Sequence, residues 1–140
     1  MRLSEQRRSD RLLGLWRQVW ASPASLLGLA ASLASLALPR CEGSVAVCRS
    51  SRGFAHWFLD RRGYCAVTLG HIILVTPKAP PDVLDHELVH VRQVECWGPL
   101  FIPVYLLAMF TTRLRGLDPY WDNPFEVEAR EHEGADPARR

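Results

Sequence analysis

The stretch Asp85-His86-Glu87-Leu88-Val89-His90 carries an H-E-x-x-H motif inside an apolar-periodic run from about Val83 to Trp97. On an α-helix, residues four positions apart lie on one face, so the imidazoles of His86 and His90 can reach a single metal ion. Glu87 lies about 100° further round the helix, beside that ion. The pattern is typical of zinc hydrolases, in which the glutamate acts as the general base. The sequence therefore predicts a helix that carries a metal site.

The predicted helix separates an apolar face from a histidine face. Leu84, Leu88 and Val91 form the apolar face, whereas Gln93 and Trp97 share the side of the two histidines. Packing alone therefore does not explain the histidines. The alternative interpretation is a surface helix with two histidines and an incidental glutamate.

A catalytic zinc ion needs three protein ligands and an open position for water, so a third ligand has to come from elsewhere. In the metzincin pattern, a glycine and then a histidine follow the second histidine at three-residue steps. Here those positions hold Gln93 and Cys96. Without the glycine the helix continues and carries Cys96 about 120° away from His90, which disfavours Cys96 as a ligand. The remaining route is a glutamate from a separate helix, the gluzincin arrangement.

The segment Asn123-Pro124-Phe125-Glu126-Val127-Glu128-Ala129 predicts a short helix, with an asparagine N-cap followed by proline at the first position. Glu126 is the predicted third ligand, because Ala129 one turn later leaves room for a close approach to the H-E-x-x-H helix. Glu128 lies about 200° round and cannot share that pocket. The alternative for Glu126 is a capping box, in which its carboxylate bonds back to the N-cap.

At these residues the chain resembles zinc-dependent metallopeptidases of the gluzincin type. It is similar to the HtpX-like membrane endopeptidases, whose H-E-x-x-H is followed by an E-x-x-A-D that supplies the last ligand. His86–His90 match the first motif and Glu126–Ala129 match the second, whereas Arg130 stands where that family has aspartate. Roughly residues 64 to 132 also look like short uncharacterised bacterial proteins with the same motif.

The resemblance implies a small zinc metallopeptidase acting on a peptide or protein. Zinc held by His86, His90 and Glu126 would lower the pKa of a bound water and polarise the scissile carbonyl. Glu87 would accept the proton of that water and pass it to the leaving amine. Three residues are candidates for substrate contact or for the additional donor to the oxyanion: His71, Tyr120 and His132.

Before the motif, short runs rich in β-branched and aromatic residues predict strands: Ser44–Arg49, Phe54–Asp60, Tyr64–Leu69 and His71–Thr76. Gly70, between the last two, suggests a bulge. The expected fold is α+β: a small antiparallel sheet, the H-E-x-x-H helix, a second apolar helix over Leu100–Phe110 and a short C-terminal helix. This is a minimal zincin-like arrangement, preceded by an apolar N-terminal helix.

The sheet edge near Thr68–Thr76 is expected to line the metal cleft, because an exposed strand offers unpaired backbone groups to an extended peptide. Ile73 is expected to face outward on that strand. A proline at this position should then impair peptide turnover more than zinc content.

The first 40 residues have a different character. Residues 1–19 form a basic amphipathic lead-in, with five arginines against Glu5 and Asp10, and residues 20–40 form an apolar helix. From Trp20 to Leu38 this helix is a possible membrane segment with its N-terminus in the cytoplasm. An amphipathic helix of a soluble domain and a cleaved signal segment are the alternatives.

Within the apolar helix, Ser25, Gly28, Ser32 and Ser35 form a stripe of small residues opposite the leucines. Such a stripe lets another helix approach closely in a bilayer. Alternatively, the leucines pack on the core and the serines face water.

Composition limits the remaining possibilities. The 140 residues, 48% of them hydrophobic, suffice for one metal-binding domain over residues 41–132, followed by a disordered tail over residues 133–140. The net charge of +2 is the remainder of 17 basic and 15 acidic residues, without the basic aromatic face of a nucleic-acid-binding protein. The four cysteines contain no C-x-x-C pair, so neither a structural zinc knuckle nor a disulfide scaffold is indicated.

Two other functions stay open from the sequence. One is a catalytically inactive zinc-binding or membrane-associated scaffold, because so short a chain leaves little for a substrate cleft. The other is a helical membrane partner protein, based on the two apolar segments alone. The expected location is a bacterial membrane, with the cytoplasm as the alternative.

Overall fold

A computed structural model describes residues 2–132, with side chains from residue 10 onward, so the predicted tail over residues 133–140 lies outside the described residues. The helices are α1 (Arg2–Ala34), α2 (Gly53–Arg62), α3 (Val83–Trp97), α4 (Phe101–Leu114) and α5 (Pro124–Glu131). The strands are β1 (Arg40–Glu42), β2 (Val45–Arg49), β3 (Ala66–Leu69) and β4 (Ile72–Val75). A short 3-10 turn over Gly98–Leu100 joins α3 to α4. The predicted α+β class is confirmed.

The sheet is mixed, which corrects the prediction of an antiparallel sheet. Its strand order is β1-β2-β4-β3, with antiparallel pairs at both ends and a parallel pair, β2 with β4, in the middle. After β2 and α2, the chain forms β3 at the outer edge of the sheet. It then turns back and forms β4 between β3 and β2, so β4 runs parallel to β2. Sequence pattern alone suggested consecutive hairpins and gave no sign of this insertion.

The predicted strand Phe54–Asp60 is wrong, because these residues belong to helix α2. Ala55 and Leu59, four residues apart, are its buried residues, so the segment follows a helical period. Gly63 ends the helix in the left-handed conformation, with φ of 72°. The aromatic residues of this segment favour a strand by residue type, but the four-residue spacing of Ala55 and Leu59 is that of a helix.

Strand β4 lies between two apolar layers. Ile73 packs with Val47 and Val91, on the side of α3, whereas Leu74 packs with Cys48 and Leu59, on the side of α2. All four residues of β4 are buried and Ile73 is 0% exposed, so the prediction that Ile73 faces outward is wrong. The outer edge of the sheet next to α3 is formed by β3 instead.

Helix α1 runs without interruption through the predicted boundary between residues 19 and 20. Its small-residue stripe faces the domain: Ser32 and Ser35 are fully buried, while the leucines on the other side are exposed. The interpretation in which the leucines pack on the core and the serines face water is therefore wrong. Gly70 lies in the β3–β4 turn, not in a bulge, where a Cβ would come within 2.2 Å of Ser25 Oγ.

Among the described residues, the run Val83–Leu114 is the one stretch of helix long and apolar enough to cross a membrane. The sequence had placed such a segment at Trp20–Leu38, but helix α1 ends at Ala34. The run comprises α3, the 3-10 turn and α4. Its first half packs on the sheet through Val91, so its length alone does not identify a span.

Candidate metal centre

His86, His90 and Glu126 form a buried cluster whose possible ligand atoms all lie within 4.8 Å of one another. The Nε2 atoms of the two histidines are 3.2 Å apart. Glu126 Oε2 lies 3.1 Å from His86 Nε2, and its Oε1 lies 3.3 Å from His90 Nε2. The two imidazoles come from one turn of α3 and the carboxylate comes from α5, so the fold brings together residues 40 positions apart.

The start of α5 fixes the position of Glu126. Asn123 is fully buried, and its side chain accepts a hydrogen bond of 3.1 Å from the backbone N–H of Phe125. This is the predicted N-cap, with Pro124 at the first helical position. Ala129 is also fully buried, as expected if its small side chain allows α5 to approach α3. The local sequence therefore aims the Glu126 carboxylate at the two histidines.

The capping-box alternative for Glu126 is not formed. The backbone N–H of Asn123, which a capping box would occupy, donates to the carbonyl of Tyr120 at 3.3 Å. Both carboxylate oxygens of Glu126 are engaged instead by His86, His90 and Tyr105. The side chain serves the cluster and not the cap.

The three cluster residues are electrostatically coupled. Burial opposes ionisation of Glu126, but hydrogen bonds from His86 and His90 outweigh it and hold the pKa of the carboxyl well below its ordinary value. The hydrogen bond to Glu126 raises the pKa of His86 above its ordinary value. An anionic carboxylate beside two imidazoles can bind a divalent cation, which would take the place of the protons on these groups.

Glu87 is buried close to the cluster, where the charges of His90 and His86 act on its carboxyl. Its Oε2 accepts a hydrogen bond of 2.7 Å from the hydroxyl of Thr68 on β3. Burial raises the pKa of the Glu87 carboxyl above its ordinary value, which is the direction expected of a general base that works near neutral pH.

Tyr105, on α4, is a site residue that sequence reasoning missed. Its hydroxyl donates a hydrogen bond of 2.6 Å to Glu126 Oε1. Burial, with the nearby Glu126 carboxylate, raises the pKa of the phenol, which stays protonated at neutral pH. Its position as a tyrosine inside the otherwise apolar run Leu100–Phe110 was the feature of the sequence that could have indicated a hydrogen-bonding role.

Gln93 links the two helices that carry the cluster. Its Oε1 accepts a hydrogen bond of 2.8 Å from His90 Nδ1, while its Nε2 donates to the carbonyl of Phe125 at 3.0 Å and to Glu128 Oε2 at 2.9 Å. The first bond keeps the proton on His90 Nδ1, which donates it to Gln93, and so leaves His90 Nε2 without a proton and directed at the cluster. The sequence placed Gln93 on the histidine face but assigned it no role.

The three candidates for the oxyanion donor or substrate contact separate in the structure. Tyr120 lies near the cluster, where burial and the carboxylates of Glu126 and Glu87 raise the pKa of its phenol. His71 instead bonds to Glu95, with 3.1 Å between Nε2 and Oε1. His132 is exposed and contacts its own helix through the carbonyl of Glu128. The structure therefore brings Tyr120 to the cluster but not His71 or His132.

Cys96, the competing third ligand, is exposed and does not belong to the cluster. Two imidazole nitrogens and one carboxylate oxygen are the protein donor set of many catalytic zinc sites, which keep a fourth position for water. The residues present therefore fit a zinc ion. Comparison of the chain with protein-family models, curated proteins and solved structures finds no match.

Proposed function

We propose that the protein is a zinc-dependent hydrolase that cleaves peptide bonds, with zinc bound by His86, His90 and Glu126. The observation that carries the proposal is the convergence of these three buried side chains from two helices, with ligand atoms within 4.8 Å of one another. A buried carboxylate between two histidines costs desolvation energy that folding alone does not require. A bound divalent cation would offset that cost.

The surrounding residues have complementary tasks. Bound zinc would polarise a carbonyl and lower the pKa of a water molecule. Glu87, held by Thr68, would act as the general base that takes a proton from the attacking water and passes it to the leaving amine. Tyr105 holds one oxygen of Glu126, and Gln93 holds the ring of His90. Tyr120 is the predicted oxyanion donor that remains near the cluster.

The proposed substrate is an extended peptide lying along β3. This strand is at the end of the sheet, and Thr68 connects it directly to Glu87. The backbone N–H of Thr76 bonds to the carbonyl of Cys65, so alternation along the antiparallel pair turns the N–H groups of Ala66 and Thr68 away from β4. These groups are positioned to pair with a substrate backbone.

We also propose that the protein works at a membrane. Helix α4 buries Phe101 and Thr112 but exposes four large apolar side chains: Leu106, Leu107, Phe110 and Leu114. Two arginines, Arg113 and Arg115, lie at its end. An exposed apolar stripe that ends in basic residues suits the boundary between acyl chains and lipid headgroups.

A catalytically inactive zinc-binding scaffold is the second candidate function. The three cluster residues are nearly inaccessible: His86 is 8% exposed, His90 7% and Glu126 3%. A hydrolase has to admit its substrate to the metal, so this burial favours the scaffold.

Metal analysis of the purified full chain, followed by a peptide-hydrolysis assay, separates the two functions. The wild type should hold one zinc ion per chain, and Glu126→Ala should lose it, whereas Cys96→Ala should keep it. Glu87→Gln should keep zinc and lose hydrolysis, because it removes only the base. Zinc without hydrolysis in the wild type would support the scaffold. If Cys96→Ala empties the site and Glu126→Ala does not, the ligand assignment is wrong.

A further inference from the structure

Helix α1 carries its large apolar residues on the side that faces away from the domain. The exposed stripe consists of six side chains, each 55% to 65% exposed: Leu12, Leu15, Trp16, Val19, Leu26 and Leu33. Their spacing places all six on one side of the helix over about six turns. Scattered exposed hydrophobic residues are ordinary in soluble proteins, but a continuous stripe of this length marks an interaction surface.

The opposite side of α1 is fixed to the domain by small residues. Ser25 Oγ accepts a hydrogen bond of 3.0 Å from the backbone N–H of His71, and Ser35 Oγ accepts one of 2.8 Å from the N–H of Ala55. A Cβ on Gly28 would lie 2.8 Å from Ile72 Cβ, so the helix and the sheet are in direct contact there. Because these contacts fix the rotation of α1, its apolar stripe remains directed outward.

We propose that α1 lies in the plane of an anionic lipid bilayer, with its exposed stripe among the acyl chains and the domain on the aqueous side. The first 19 residues carry five arginines against Glu5 and Asp10. Arg17 pairs with Glu95 of α3 at 3.8 Å, and the other four arginines supply the charge complementarity to anionic headgroups. Trp16 is 61% exposed and stacks on Trp20, with ring centroids 5.9 Å apart, and the Trp16 ring suits the interface. An amphipathic helix with these features binds the surface of a bilayer.

The contacts of α1 with the domain exclude a spanning orientation. If α1 crossed the bilayer, the elements packed on its inner face would enter the hydrocarbon with it. They include α2, which ends in the exposed residues Asp60, Arg61 and Arg62. Charged side chains are costly in the bilayer core, whereas an in-plane helix leaves them in water. The in-plane orientation of α1 rests on the proposed role at a membrane but not on the metal chemistry.

Flotation of the full-length protein with vesicles of equal parts phosphatidylcholine and phosphatidylglycerol tests the proposal. The wild type should float with these vesicles and bind pure phosphatidylcholine vesicles at least tenfold more weakly. Leu26→Gln combined with Leu33→Gln should lower the partition coefficient by tenfold or more. The matched control is Phe54→Gln combined with Trp57→Gln, which changes two exposed side chains on α2 and should leave binding unchanged. Circular dichroism should show that both variants fold.

Protease added outside the vesicles then distinguishes the two orientations. Cleavable tags at the N-terminus and at the C-terminus should both be removed, because an in-plane helix keeps both ends on one side. Protection of the N-terminal tag would indicate a spanning helix and overturn the proposal. Vesicle binding by Leu26→Gln with Leu33→Gln that equals that of the wild type would also overturn it. So would a lipid-free dimer, dependent on these leucines, that does not bind vesicles.

Discussion

The hydroxyl of Tyr105 donates a hydrogen bond of 2.6 Å to Glu126 Oε1, so the apolar helix α4 supports the carboxylate that α5 supplies. A hydrogen bond to a charged oxygen keeps the carboxylate in one orientation and lowers the cost of its burial. The candidate metal centre is therefore built by three helices, although only two of them contribute residues of the His86, His90 and Glu126 cluster.

Tyr105→Phe should weaken zinc binding about tenfold without unfolding the protein, because it removes one hydrogen bond to a ligand and keeps the ring. Competition with a chelator of known affinity measures the effect. Tyr64→Phe is the matched control, since Tyr64 packs on Tyr120 and not on Glu126. Equal zinc affinity in Tyr105→Phe and the wild type would show that Tyr105 does not support the ligand.

Gln93→Leu should lower zinc affinity by about 10- to 100-fold, because it removes the acceptor that orients the His90 ring and the donor that links α3 to α5. The spectrum of a cobalt-substituted sample should change as well, since the ring is no longer fixed. Arg92→Leu, one position earlier on the same helix, is the control for a local change in polarity. Retained affinity with an unchanged cobalt spectrum would contradict this role.

Zinc affinity should rise as the pH rises through the range above 6.5, the ordinary pKa of histidine. The hydrogen bond to Glu126 raises the pKa of His86, so in the metal-free protein a proton competes for Nε2 up to a higher pH than in an exposed histidine. Competition titrations across this range measure the slope, and they should also detect proton release on binding. An affinity that does not vary with pH would mean that no proton is displaced.

Ala66→Pro should reduce peptide turnover and leave zinc content unchanged, because it removes an outward backbone donor from the edge of β3. Val67→Pro is the contrasting variant: it lies opposite Leu74, where the ladder bond should be lost and the protein destabilised. Zinc content, thermal unfolding and peptide hydrolysis are measured for both. Wild-type hydrolysis by Ala66→Pro would place the substrate elsewhere.

The three residues of the cluster could be predicted from sequence because the position of each depends on a local rule. Helical spacing brings His86 and His90 to one face, and the asparagine cap with its following proline sets the turn of α5 that carries Glu126. Tyr105 and Thr68 could not be assigned in this way, since their contacts arise only when α4 and β3 meet the central helix. The strand insertion that makes the sheet mixed is likewise a property of the whole topology.

The outward stripe of α1 shows a further limit of local pattern. A serine face and a leucine face can be read from the sequence, but which of them meets the domain depends on what lies opposite. Here Leu69 and Ile72 come so close to Gly28 that a Cβ does not fit without a shift of its neighbours. A rule that places leucines inside therefore fails at this helix.

Trp20 and Gly98 make the tightest such approach: a Cβ at Gly98 would lie 2.1 Å from the indole nitrogen. This contact joins α1 to the end of the helix that carries both histidines, and Ala21 and Ala24 extend the join to Val94. The two helices therefore cannot tilt independently. On a lipid surface, this coupling would fix the distance of the candidate metal centre from the bilayer and its orientation. The position at which a substrate is cleaved would then depend on its distance from the headgroups as well as on its residues.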